Sequence, residues 1–173
     1  MLAWAWWPSV KYLAGIDPGY SGAIALLDPN NLTDLILIDM PLHRLKVNGR
    51  NTARLDLYQL GNFFDLHRLD IRAACIEEPS AMPSQGVASS FNFGFSCGAT
   101  QAAVAANAIP MRLVRPATWK RAMGLTADKD ASRRLASQRL PMHAAKWARA
   151  KDDGRAEAVL LAIYLIHHKE ISS

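Results

Sequence analysis

Cysteine is scarce in this chain: Cys75 and Cys97 are the only two among 173 residues. Their surroundings offer no metal–thiolate spacing, so a zinc centre of the Cys/His type is excluded. Both stand among apolar or small residues, which predicts buried free thiols rather than a disulfide. Long hydrophobic runs are missing too. None approaches the ~20 residues of a bilayer span, so no membrane partner is expected. Internal repeats, low-complexity tracts and linkers are absent as well, so one domain is expected over 11–173. The remaining residues, 1–10, form an N-terminal extension of unassigned role, with Trp4, Trp6 and Trp7 crowded ahead of Pro8. That segment lacks the basic start of a secretory signal, and a secreted protein is not expected.

What is present suits a globular fold with a sizeable core: half the residues are hydrophobic and a fifth are charged. The net charge is +5, and 12 of the 20 Lys and Arg residues fall between Arg112 and Arg155. Only Asp128, Asp130, Asp152 and Asp153 oppose them there. Such asymmetry points to a face that binds a polyanion, with a merely solvated surface as the plain alternative.

Strand-forming runs occupy Tyr12 to Asp17, Ala23 to Asp28 and Asp34 to Met40, the first two joined by Gly19, Tyr20, Ser21 and Gly22. The polar stretch 41–53, with Arg44, Lys46 and Arg50 around Asn48-Gly49, reads as an exposed loop. A helix is expected over about 55–68, a fourth strand in "IRAACIEE", a long helix over 85–108 and a fifth strand over Met111 to Val114. Pro116 suits the first turn of a short helix. Two more helices are expected at 128–140 and 153–167. A meander followed by β–α crossovers predicts an α/β fold, a mixed five-stranded sheet with helices packed on it. In the long helix Gly86, Ser90, Gly94, Gly98, Ala102 and Ala106 recur every fourth residue, placing a small-residue stripe on one face. Each interior glycine costs roughly 1 kcal/mol against alanine. Close packing on the chain's own sheet or a helix-on-helix dimer contact would compensate.

Carboxylates stand at the ends of these elements. Asp17 closes the first strand, Glu77 and Glu78 close the fourth, and Asp152, Asp153 and Glu157 begin the last helix. Singly, each has a plain role as a turn former, a helix cap or a solvated acid. "AGIDPG" and "ACIEEP", however, share one design of strand then carboxylate. If those strands are parallel neighbours, Asp17 and Glu77 leave the sheet at the same end. Asp153 and Glu157, four apart, share a helix face that is otherwise apolar, and a carboxylate there is costly without a cation. Clustered oxygens suit Mg²⁺, with Mn²⁺ as substitute. Two such ions about 4 Å apart activate a water and stabilise a phosphodiester's leaving oxygen.

The ordered segments "GIDPG", "IEEPSAMPSQGVASSFNFG" and "DDGRAEAVLLAIY" resemble the RuvC-type Holliday junction resolvases, most of all their phage and plant-organelle branch. The resemblance runs from about Tyr12 to His167. It implies an RNase H-like fold with helices on both faces of the sheet. It further implies a homodimer, for which the small-residue stripe makes helix 85–108 the candidate contact, and symmetric, metal-dependent nicking of four-way DNA junctions. A cytoplasmic setting, in a bacterium or a phage-infected cell, or an organellar one, goes with it. By position, Asp17, Glu77, Asp153 and Glu157 match the family's catalytic, metal-binding acids. Lys120 in "ATWKRAM" and Lys129 in "DKDAS" match lysines placed near the scissile phosphate, where they would stabilise transition-state charge. Met82, Gln85, Arg115, Lys120, Lys129, Arg133, Lys151 and Arg155 are the expected DNA contacts. Two departures stand out. The final acid pair is spaced four apart instead of the bacterial three, leaving Asp152 or Asp153 as the working ligand, with Asp153 favoured by its shared face with Glu157. Ser80 occupies the place of the bacterial junction wedge, for which Met82, Gln85 or Phe91 are substitutes.

Other classes compete. An RNase H-like nuclease acting on other branched DNA or on RNA–DNA hybrids would use the same chemistry. An actin-like ATPase or sugar kinase also begins with a strand, an Asp and a Gly-rich turn, but it needs two lobes and a second phosphate loop. A non-catalytic DNA-binding module would have no use for acids gathered at one spot.

Overall fold

The computed structural model describes residues 10–47, 49–78, 86–126, 128 and 130–168. Strands β1 (Tyr12–Asp17), β2 (Ala23–Leu27) and β3 (Leu35–Asp39) form an antiparallel meander. Next come β4 (Leu42–Val47), β5 (Arg50–Leu55), helix α1 (Leu57–His67), strand β6 (Ile71–Glu77) and helix α2 (Val87–Ala106). Strand β7 (Met111–Val114) precedes α3 (Pro116–Ala122), α4 (Ala131–Arg139) and α5 (Asp153–His167). The main sheet is five-stranded in the order β3-β2-β1-β6-β7, with β6 parallel to both β1 and β7. The expected mixed sheet is therefore found.

Alternation along the central strands divides the core in two. Leu13, Ala23, Ala25, Leu27, Ala73 and Cys75 face α3, α4, α5 and the connection between the last two, where Trp119, Trp147, Leu160 and Leu161 are fully buried. Ala14, Ile16, Ile24, Leu26, Ala74 and Ile76 face α1 and α2, meeting Leu60, Phe64 and Val104. Helices thus cover both faces. Helix α5 lies directly on β1. A methyl group on Gly15 would come within 1.9 Å of the Ala158 carbonyl oxygen, so only glycine permits this approach. Both cysteines are buried free thiols, and burial pushes the Cys75 thiol up to about 12.

One expectation fails. The stretch 41–53 is not a loop: it is most of a second, two-stranded sheet, β4 paired antiparallel with β5. Its strand signal is masked in the sequence by basic side chains on both faces, while Gly49, at φ 78°, supplies the turn. Two 3₁₀ segments, Pro141–Trp147 and Ala150–Asp152, were also unanticipated. They carry the chain from α4 to α5 and bury Trp147. Helices α1, α2 and α4 are each shorter than their sequence patterns suggested. The tryptophan-rich start lies outside the described residues. Among the described residues no helix is long and apolar enough to cross a membrane.

Candidate active site

Parallel pairing brings the two strand-ending acids together. Ile16 is the register partner of Ile76, so Asp17 and Glu77 follow side by side at one end of the sheet. Asp17 accepts a hydrogen bond from the Gly19 backbone N–H at 3.1 Å, which favours its ionised form, as does the Lys120 charge. The first turn of α5 approaches closely because residue 154 is glycine. A Cβ there would stand 2.3 Å from the Ser21 carbonyl oxygen and 3.0 Å from Asp17 Oδ2. Glu77 is buried, and its Oε2 accepts the indole N–H of Trp119 at 2.7 Å. The Glu78 charge, like that of Glu77, adds to the surroundings of Cys97.

Glu157 enters from α5. Its Oε1 accepts the Lys120 ammonium at 2.6 Å and the Ser132 hydroxyl at 3.0 Å. Neighbouring residues of one short helix, Trp119 and Lys120 of α3, therefore hold carboxylates from two different elements. The electrostatics report the crowding. Burial pushes Asp17 up to about 6, opposed by the Gly19 N–H and reinforced by Glu157. Burial, then the Asp17 charge, pushes Glu77 up to about 7. Burial disfavours the charged form of Lys120, but the Glu157 hydrogen bond and the charges of Glu157, Glu77 and Asp17 outweigh it and raise its pKa. Three acids and one ammonium thus share a site.

The fourth acid faces partly elsewhere. Asp153 lies 3.0 Å from Arg133 Nε in an ion pair. Burial raises its pKa, Arg133 lowers it, and Glu157 adds to the rise. Asp152 is engaged further still: both its oxygens accept from Arg149, which pulls its pKa down to about 2. Of the two, only Asp153 senses the Glu157 charge.

Among the described residues no group of three or more His, Cys, Asp or Glu stands close enough to grip a metal ion in this arrangement. The donor chemistry nevertheless fits a hard cation. All the donors are carboxylate oxygens, Asp17 and Glu77 are held against their own ionisation, and the cations at hand are the Lys120 ammonium on Glu157 and the Arg133 guanidinium on Asp153.

The expected DNA contacts divide. Lys129, Met82 and Gln85 lie outside the described residues, as does Ser80. Arg115 and Lys151 are exposed. Arg133 pairs with Asp130 and Asp153, and Arg155 grips Asp39 at 2.5 and 2.6 Å. Phe91 is 71% exposed, unlike a core aromatic. Sequence reasoning missed Trp119, Ser132 and Gly154, whose roles are set by neighbours remote in the chain. It also missed Ser96 of α2, fully buried, which donates to the Pro18 carbonyl and ties α2 to the turn after Asp17.

Comparison with known proteins is informative at the level of structure alone. No protein-family model matches the sequence, and no curated protein matches it. Among solved structures, the chain is similar to Thermus thermophilus RuvC in complex with Holliday junction substrate. The TM-score is 0.55 at 15% identity, covering 91% of this chain and 96% of that one. A second Thermus thermophilus RuvC structure gives 0.52 at 16% identity with the same coverage. The yeast mitochondrial Holliday junction resolvase Ydc2 gives 0.54 at 15% identity, over 92% of this chain and 82% of that one. The chain therefore has the RNase H-like fold these proteins share.

Proposed function

We propose that the chain is an endonuclease that hydrolyses phosphodiester bonds in branched DNA, with the four-way junction as its substrate. One observation carries this reading. Asp17 and Glu77, from adjacent parallel strands, meet Glu157 of the last helix around a single ammonium, at one end of a sheet whose fold is shared with junction resolvases. Asp17, Glu77, Glu157 and Asp153 would hold Mg²⁺, with Mn²⁺ as substitute, and a bound pair of ions would supply an activated water and charge stabilisation at the leaving oxygen. Lys120 is the phosphate-facing cation in this reading: released from Glu157, its ammonium reaches the same pocket and offsets charge on the transferred phosphoryl group. Trp119 and Ser132 hold Glu77 and Glu157 in place. Lys129 is proposed as a second such lysine, and Arg115 and Lys151 as phosphate contacts.

The chain acts as a homodimer in this reading. Gly94, Gly98, Ala102 and Ala106 of α2 are exposed, and a Cβ on Gly94 or Gly98 would meet nothing within 4 Å. The stripe is therefore not used to pack on the chain's own sheet. Gly94, Gly98 and Ala102, with Leu57 and Phe95, line an apolar groove between α1 and α2. A second copy would cover this face and place two active sites for paired cuts.

Incubation with synthetic four-way, three-way and linear DNA and an RNA–DNA hybrid, with and without Mg²⁺, tests the proposal. Mg²⁺-dependent paired nicks in the four-way junction are expected. Cutting confined to hybrids would favour the broader nuclease reading, and binding without any cutting would favour the non-catalytic module.

A further inference from the structure

The β4–β5 hairpin takes no part in the site described above, yet it springs from the same end of the sheet. Asp39, the last residue of β3, is the register partner of Ala23, and Ala23 is the partner of Asp17. The chain thus leaves β3 beside the catalytic end and enters β4 after two intervening residues. The ribbon is fastened at its base. Leu55 is buried, the Asp56 N–H donates to the Pro41 carbonyl at 2.9 Å, and His43 Nε2 lies 2.9 Å from the buried Asp56 carboxylate. Beyond the base, Arg44, Leu45, Lys46, Asn51 and Arg54 are exposed. Its six-residue strands reach roughly 20 Å at ~3.3 Å per residue.

The charge on this ribbon is of one sign. Residues 41–55 contain Arg44, Lys46, Arg50, Arg54 and His43, and no Asp or Glu. In the 112–155 region Lys120, Arg133, Arg134, Arg149 and Arg155 are all taken up by carboxylates of the chain itself. Arg44, Lys46 and Arg54 have no carboxylate partner among the described residues. Register puts Arg44 and Lys46, opposite Ala53 and Asn51, on one face, and Arg54, opposite His43, on the other. A cationic two-stranded ribbon with charge on both faces matches a duplex groove, which admits such a ribbon between two rails of phosphate.

We propose that the β4–β5 hairpin is a duplex-gripping arm, contacting phosphates of the nucleic acid beyond the cleavage point through Arg44, Lys46 and Arg54. This rests on the nucleic-acid reading above and extends it to a surface outside the acidic site. Three phosphate contacts imply a salt dependence of log Kd steeper by roughly 2 to 3.

The test titrates wild type and the triple variant Arg44→Gln/Lys46→Gln/Arg54→Gln against a labelled four-way junction without metal, over a series of KCl concentrations. Cleavage at saturating junction with Mg²⁺ is followed in parallel. The expected result is a slope lower by about 2 to 3 in the variant, with weaker binding at every salt concentration, and a cutting rate at saturation within about twofold of wild type. An unchanged slope, while wild type binds and cuts, overturns the arm alone and leaves the ribbon for some other acidic partner. A wild type that neither binds nor cuts overturns the nuclease reading and the arm with it. Should the variant fail to fold, acetylation of Lys46 in wild type, read by mass spectrometry, decides the question. Protection by bound junction supports the arm, and equal labelling with and without junction overturns it.

Discussion

Asp17 illustrates the tension between stability and chemistry at the residue scale. Its pKa is about 6 because burial disfavours its charge, and Glu77 is pushed to about 7 for the same reason, with Asp17 adding to the rise. Both values lie above those of an unfolded chain, so the folded protein without metal binds the extra protons. Their effect on stability is therefore least adverse below about pH 4 and grows as pH rises through about 6 to 7. The melting temperature of metal-free protein should fall across that window more steeply than that of Asp17→Asn. At pH 8 the variant should be more stable by on the order of 2 kcal/mol, measured by urea unfolding in EDTA. The same variant should bind junctions as wild type does, yet cut them about three orders of magnitude more slowly or worse, the several kcal/mol of charge stabilisation lost with a metal site. A variant that cuts at the wild-type rate would show that Asp17 is no ligand. Trp119→Phe keeps the ring and removes the N–H that holds Glu77. Calorimetric titration with Mn²⁺ should show roughly tenfold weaker binding, the usual scale for losing a partner of a metal-ligating carboxylate.

At the scale of elements, the contact of β1 with α5 positions the site. Both elements are built around small residues at their crossing: Gly15 on the strand, with Ala158 and Ala162 of the helix against it. A methyl at residue 15 would overlap helix backbone, which cannot rotate away as a side chain can. Gly15→Ala should therefore cost about 1–3 kcal/mol in urea unfolding. It should also slow cleavage beyond what the stability loss explains, because α5 carries Glu157 and Asp153 against β1's Asp17. The short helix α3 has the complementary task. One turn of it presents Trp119 inward to Glu77 and Lys120 sideways to Glu157, so the sequence neighbours join sheet and helix contributions into one pocket.

At the scale of the whole molecule, α2 is the element that a single chain leaves unfinished. Its first half is exposed at Val87, Phe91 and Phe95, and its glycines open onto solvent. Gly98→Glu tests the pairing cleanly. In a lone chain the substitution meets nothing and removes a helix-interior glycine, so it should be neutral or stabilising by up to ~1 kcal/mol. In a dimer it buries a charge against its own symmetry mate. If the proposed pairing holds, sedimentation should show wild type as a dimer and this variant as a monomer, and junction cleavage should turn from paired nicks to single ones. Retention of the dimer by this variant would assign the α2 face to something else.

Much of this was legible in the chain itself because short-range patterns carry it. Alternation and turn residues around "LAGIDPGYSGAIALL" locate β1 and β2, Pro116 starts α3, and the strand-then-acid segments identify Asp17 and Glu77 as a pair. The expected loop at 41–53 shows the limit: basic residues on both faces of a ribbon hide the alternation on which strand reading depends. The tertiary structure alone decided which acids meet. Glu157 joins Asp17 and Glu77, whereas Asp152 is spent on Arg149 and Asp153 is shared with Arg133, since each outcome depends on arginines and helix angles that no local spacing encodes. It alone recruited Trp119, an ordinary core residue by composition, whose single polar atom reaches across the fold to a buried carboxylate that needs a donor.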